Sequence, residues 1–188
     1  MAGRQIVLEP YNPAWPAQFA EEEKRVREVL GDVALAVHHI GSTSVPGLAA
    51  KPVIDMLIEV SGLSVLDGCN AVMQALGYTP RGEYGIPGRR YFIKGHAVRT
   101  HHIHAFVAGS HHVTRHLAFR DYLRRHDDVM QEYAQIKFTA ARDSGFQSDV
   151  YSELKNEFIA RVEQQRWRGG SNEQRQPGSA GLCPCAQA

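Results

Sequence analysis

The sequence predicts an α+β domain: a β-sheet with helices packed on one face and a C-terminal helical segment. Two observations carry that prediction. Short β-rich apolar runs at residues 33–40, 52–60 and 98–107 alternate with stretches whose apolar residues recur at helical spacing, and the chain after Gly109 reads as helix. A length of 188 residues supports one domain with a proper core and is too short for two ordinary ones. Residues 1–167 are assigned to that domain. Residues 168–188, rich in Gly, Ser, Gln and Pro, read as a disordered tail.

Charge and hydropathy exclude several classes. With 21 basic and 20 acidic residues the net charge is +1, so no global attraction to nucleic acid or to a membrane is expected, and any phosphate site must be local. No run of eighteen apolar residues occurs and the N-terminus has no signal-like apolar segment, which predicts a cytoplasmic protein. Of three cysteines, Cys69 falls in a helical pattern as a small hydrophobe. Cys183 and Cys185 form a C-x-C in the tail without accompanying ligands.

Taken in order, residues 4–8 suggest a short strand, ended by Pro10 and Pro13. Pro16 suits a first helical position; Phe19, Val26, Val29 and Leu30 mark the buried face of a helix stopped by Gly31, with Glu21/Arg25 and Glu23/Arg27 pairs on its wet side. Residues 33–40 and 52–60 read as strands. A helix over 64–76, capped by Ser64 and stopped by Gly77, follows from Leu66, Cys69, Val72, Met73 and Leu76. Residues 81–88 form a Gly/Pro loop, followed by a hairpin turning at Gly95-His96 into a strand over 98–107. Helices are predicted over 111–125, 127–142 and 149–167.

The chemistry concentrates in His38 to Val60, HHIGSTSVPGLAAKPVIDMLIEV. A Gly41-Ser42-Thr43 turn leaving a strand brings backbone N–H groups and hydroxyls close to an anion, and Asp55 on the following strand can hold the divalent metal that accompanies a triphosphate. Lys51, Arg89 and Arg90 are candidate phosphate contacts, though a solvated surface role competes equally for each. Alternation along RTHHIHAF puts His102 and His104 on one face, and the same rule with Met56, Ile58 and Val60 inward puts Asp55 there too. One acid and two imidazoles then converge, provided the strands are neighbours. His38, His39, His111, His112 and His116 read as surface or capping residues. Lys137 and Lys155, each four residues after a tyrosine, read as helix-face partners in preference to lysines reaching the site.

YNPAW, HIGSTSVPGLAAKPVID, RTHHIHAF, FRDYL, YAQIK and YSELK occur in one order between about Ile6 and Val162. In these motifs the chain resembles the GrpB family. The resemblance implies a nucleotidyltransferase-like (polymerase-β-like) mixed sheet and a nucleotide triphosphate held at Gly41, Ser42 and Thr43. It also implies a divalent metal (Mg²⁺, Mn²⁺ or Zn²⁺) on Asp55, with His102 and His104 in place of a third acid and Leu57 in place of the second. Nucleotidyl transfer to an unnamed acceptor is the first expectation. A non-catalytic nucleotide- or CoA-precursor-binding module, or a folding accessory of a dephospho-CoA kinase, is the second; a metal-dependent phosphate-ester hydrolase is the third.

Overall fold

The computed structural model describes residues 7–96, 98–143 and 158–162. Its first element is α1 (Trp15–Leu30), with Pro16 inside the first turn, where its missing N–H has no helical acceptor to lose. Trp15, Val26 and Leu30 face inward, and the predicted pairs form on the outside, Arg25 to Glu21 at 2.6 Å and Arg27 to Glu23 at 2.9 Å. Val7 and Leu8 lie outside any strand. Glu9 instead makes an isolated antiparallel bridge to Ala50, pinning the N-terminal segment to the connector.

Five strands form one mixed sheet: β1 (Ala36–Ile40), β2 (Ile54–Val60), β3 (Tyr78–Pro80), β4 (Arg90–Lys94) and β5 (His101–Val107), in the order β1-β2-β5-β4-β3. β2 and β5 run parallel and every other neighbouring pair is antiparallel. Because parallel neighbours need a crossover, the chain between them supplies α2 (Leu63–Asp67), α3 (Asn70–Ala75) and the β3–β4 hairpin. The predicted helix over 64–76 is thus two short ones. The break falls at Gly68-Cys69, where a glycine has the backbone freedom that disfavours helix continuation, and Gly62, not Ser64, stands at the N-cap. Residues 31–33 turn as a 3₁₀ helix before β1, and the predicted tight turn at Gly95-His96 is a longer connection, with β5 starting at His101.

Side-chain alternation sorts the sheet into two faces. Met56, Ile58, Val60, Ile103 and Ala105 pack against α1, α2 and α3 around Trp15, Leu66 and Met73. On the other face Leu57 and Phe106 join Ile40 and Val113 of α4 (His111–Arg125). The connector after β1 is held by a third cluster, in which Val45 and Leu48 bury against Leu123, Tyr133 and Phe158. Tyr133 lies on α5 (Asp127–Asp143). Residues 158–162 are helical; the remainder of the predicted 149–167 helix, with Lys155, and the tail with Cys183 and Cys185 lie outside the described residues. Among the described residues no helix is long and apolar enough to cross a membrane.

Candidate functional site

The α4-side face is open where β1 ends, and the first polar feature there is a glycine in close contact. Gly41 has φ +69°, a conformation that favours glycine, and a Cβ added to it would lie 2.5 Å from Asp55 Oδ2. The Asp55 carboxylate therefore packs on bare backbone. Register explains the meeting, since Ile40 pairs with Asp55 across the β1–β2 ladder. Residues 42–44 form one 3₁₀ turn in which Ser44 N–H returns to Gly41 O at 3.2 Å and Ser44 Oγ donates to the same oxygen at 2.6 Å. The N–H groups of Ser42 and Thr43 precede that first turn bond, positions that have no acceptor within a turn of this kind.

Parallel pairing of β2 with β5 sets Asp55 opposite His102. His102 Nδ1 donates to Asp55 Oδ1 at 3.1 Å, because a carboxylate can only accept, while His104 Nε2 lies 3.9 Å from the same oxygen. His104 Nδ1 faces the Arg89 guanidinium, Nη1 at 3.4 Å, so it carries the lone pair and the proton sits on Nε2. Burial works against the Asp55 charge, but hydrogen bonds from His102 and His104 outweigh it and hold the carboxyl far below the usual carboxylate range. Burial, partly offset by Asp55, lowers His104.

Arg89, at the start of β4, is almost fully enclosed, 5% exposed. Its partners are the carbonyls of Glu83 at 3.1 Å and Tyr84 at 2.6 Å, the His104 imidazole and the face of the Tyr91 ring, 4.7 Å away. No carboxylate among the described residues pairs with it. Arg90 points the other way and grips Asp67 of α2 through Nε and Nη2 at 2.6 and 2.8 Å, and Lys51 lies half-buried on the connector.

Several residues read from sequence as bland are built into the site. Lys137, expected on a helix face, is 1% exposed; its Nζ donates to Ser42 Oγ at 3.0 Å and to Ala49 O, and lies over the Tyr133 ring. His39, read as a surface or capping residue, is buried, stacked on Phe19 and paired with Thr43 Oγ1 at 3.0 Å. His116, likewise expected outside, packs against His104 and Phe106 and donates Nδ1–H to His112 O at 2.7 Å. From α4, Arg120 reaches His39 O at 3.1 Å, and Arg124 reaches Ser44 O with Nε and Nη2 at 2.9 and 2.7 Å. Arg120 and Lys137 fall in FRDYL and YAQIK and Arg124 directly follows the first, so those motifs were the one signal that could have found them.

The donor chemistry does not fit the divalent cation that a nucleotidyltransferase fold implies. Among the described residues Asp55 is the one acid that His102 and His104 meet, and Leu57, where the second would stand, is fully buried among Ile40, Phe106 and Val113. His102 and His104 aim N–H groups at the carboxylate; the lone pair of His104 faces a guanidinium, and the one left on His102 Nε2 is buried without a partner among the described residues, a single imidazole nitrogen with no second ligand beside it. No group of three or more His, Cys, Asp or Glu side chains among the described residues is arranged to hold a metal. What the arrangement can do is orient two imidazoles against a fixed carboxylate and meet an anion with Arg89 and turn N–H groups.

A family model described as GrpB protein matches residues 5–165. The UPF0157 protein YqkA of Bacillus subtilis (strain 168) is 45% identical over 171 residues, covering 90% of this chain and 50% of its own length. A dephospho-CoA kinase of Mycolicibacterium paratuberculosis (strain ATCC BAA-968 / K-10) is 28% identical over 193 residues, 89% of this chain and 47% of the kinase. The chain thus spans about half the length of each. The crystal structure of conserved protein GrpB from Enterococcus faecalis superposes with a TM-score of 0.78 at 36% identity, covering 86% of this chain and 99% of that one.

Proposed function

This chain belongs to the GrpB family, and from that premise we propose that it binds a phosphate-bearing small molecule of the nucleotide or CoA-precursor class without metal-dependent nucleotidyl transfer. The observation that carries the reading is Arg89, a buried guanidinium among the described residues with carbonyl and imidazole partners and no carboxylate. Leaving a buried cation without a counter-charge costs several kcal/mol, a cost that an incoming phosphate offsets through short, charge-assisted hydrogen bonds. The Gly41–Ser44 turn stands across the His104 and Asp55 side chains from it and adds backbone N–H groups at the other end of the patch. Asp55 serves to orient His102 and His104, and the buried Leu57 removes the second acid that a two-metal displacement requires.

A dephospho-CoA kinase role as partner or fused neighbour follows as a second reading, favoured by the alignment of this chain with about half of such a kinase. Thermal-shift measurements of the full chain with ATP or dephospho-CoA, in Mg²⁺ or in EDTA, test the first reading. Stabilisation is expected to be the same with metal and with EDTA and to vanish in Arg89→Met, whose ligand-free melting temperature is measured alongside. Stabilisation that needs Mg²⁺ and disappears in Asp55→Asn, with pyrophosphate released from ATP, reinstates the transferase.

A further inference from the structure

We infer that Tyr84 is the stacking platform for a nucleobase, so that the ligand's ring end lies on the 81–89 loop and its phosphates run toward Arg89; this rests on the phosphate-ligand reading above. Tyr84 has φ +46°, the one non-glycine residue with positive φ among those described, although glycines at 82, 85 and 88 sit beside it. A bulky residue there stores roughly 1–3 kcal/mol of backbone strain, and such strain persists only where the surroundings enforce it.

Here they do. The loop is closed at its base by Arg81 N–H to Tyr91 O at 2.8 Å and Tyr91 N–H to Gly82 O at 2.9 Å. Inside it, Ile86 N–H reaches Glu83 O at 3.1 Å, and Gly88 N–H reaches the Glu83 carboxylate at 2.7 Å. The Tyr84 carbonyl, accepting from Arg89, needs only backbone, which glycine would supply without strain. The backbone alone therefore gives no reason for tyrosine at this position.

The ring supplies one. It is 59% exposed, yet stacked at 5.2 Å and 18° on Tyr91. Tyr91 in turn touches the rings of His102 and His104, centroids 5.5 and 5.0 Å away, and carries the Arg89 guanidinium on its face. An unbroken series of rings thus leads from solvent to the Asp55 corner, with the uncompensated cation beside it. A ligand complementary to both features joins an aromatic ring to an anion, which is the chemistry of a nucleotide. A peptide aromatic would satisfy the stack alone and leave Arg89 without a counter-charge.

Isothermal titration of the full chain in EDTA with ATP, and with inorganic tripolyphosphate as a probe lacking the base, tests this. ATP is expected to bind tighter than tripolyphosphate by about 5- to 150-fold, the range that one stacked base confers. Tyr84→Gly, which keeps the carbonyl and relieves the strain, should melt no lower than wild type and bind ATP only as well as tripolyphosphate. Tyr84→Trp should retain the preference. Equal affinity of wild type for the two probes, or unaltered ATP binding by Tyr84→Gly, overturns the platform while leaving the phosphate site standing. Binding of neither probe by wild type overturns both.

Discussion

Two glycines of the connector after β1 separate conformational strain from steric contact. Gly41 and Gly47 both have φ well inside the left-handed region, +69° and +79°, so alanine at either costs on the order of 1–3 kcal/mol. At Gly47 the nearest obstacle to a new Cβ is the flexible tip of Met130 at 3.7 Å; at Gly41 it is the Asp55 carboxylate at 2.5 Å. Gly41→Ala should therefore destabilise more than Gly47→Ala in urea unfolding at pH 7, and only the former should recover when combined with Asp55→Ala. Equal losses, or no recovery in the double variant, would show that Asp55 does not rest on this backbone. Lys137 presents the same scale differently. Because it ties Ser42 Oγ to Ala49 O from a buried position, Lys137→Met leaves two acceptors without their donor and should cost roughly 2–3 kcal/mol, with faster hydrogen exchange at Ser44 and Leu48.

At the scale of elements, α4 works as a clamp on the site loop. Arg120 and Arg124, four residues apart and so on one helical face, reach the carbonyls of His39 and Ser44. Arg124 uses two N–H groups on one oxygen, a fork that lysine lacks. Arg124→Lys should accordingly behave nearly as badly as Arg124→Ala, each losing about 1–2 kcal/mol and weakening ATP binding; full rescue by lysine would reduce the residue to a surface charge. This element also shows what a sequence discloses. Asp55, His102 and His104 were legible as one patch because strand alternation is a local rule, and the sheet order then made β2 and β5 neighbours. Lys137, Arg120 and Arg124 were not, since their carbonyl and hydroxyl partners lie eighty or more residues away and no periodicity encodes that distance. His39 fell on the inward face of β1, but its partner Thr43 depends on the turn folding back. The helix over 64–76 failed for a different reason: apolar spacing continued through Gly68 while the backbone did not.

For the whole molecule, the buried histidines set how stability answers to acid. Burial, against an opposing effect of Asp55 and with help from Arg124 and Arg120, lowers His39 from 6.5 to about 4. Burial also takes His116 to about 4, and lowers His101, His104 and His112. Each of these groups binds its proton more readily in the unfolded chain, so unfolding takes up protons between pH 6.5 and 4, and stability must rise with pH across that window. The folded state keeps its full advantage above about pH 7 and loses it as pH falls through 6.5 toward 4, on the order of 3 kcal/mol for His39 and less for the more exposed His116. Below that, the histidines cease to contribute. Asp55, whose carboxyl is held far below its ordinary range, then takes over with the same sign, since its stabilisation is lost only as pH falls below about 3.8. Urea midpoints at half-unit steps from pH 7.5 to 4 should trace a flat limb and then a steady decline. His116→Phe, which keeps a ring against Phe106 and His104, should make that decline shallower. A wild-type midpoint unchanged between pH 7 and 4.5, or an acid limb that His116→Phe leaves equally steep, would mean these imidazoles are solvated in the fold and would remove the buried ring wall on which the Asp55 corner stands.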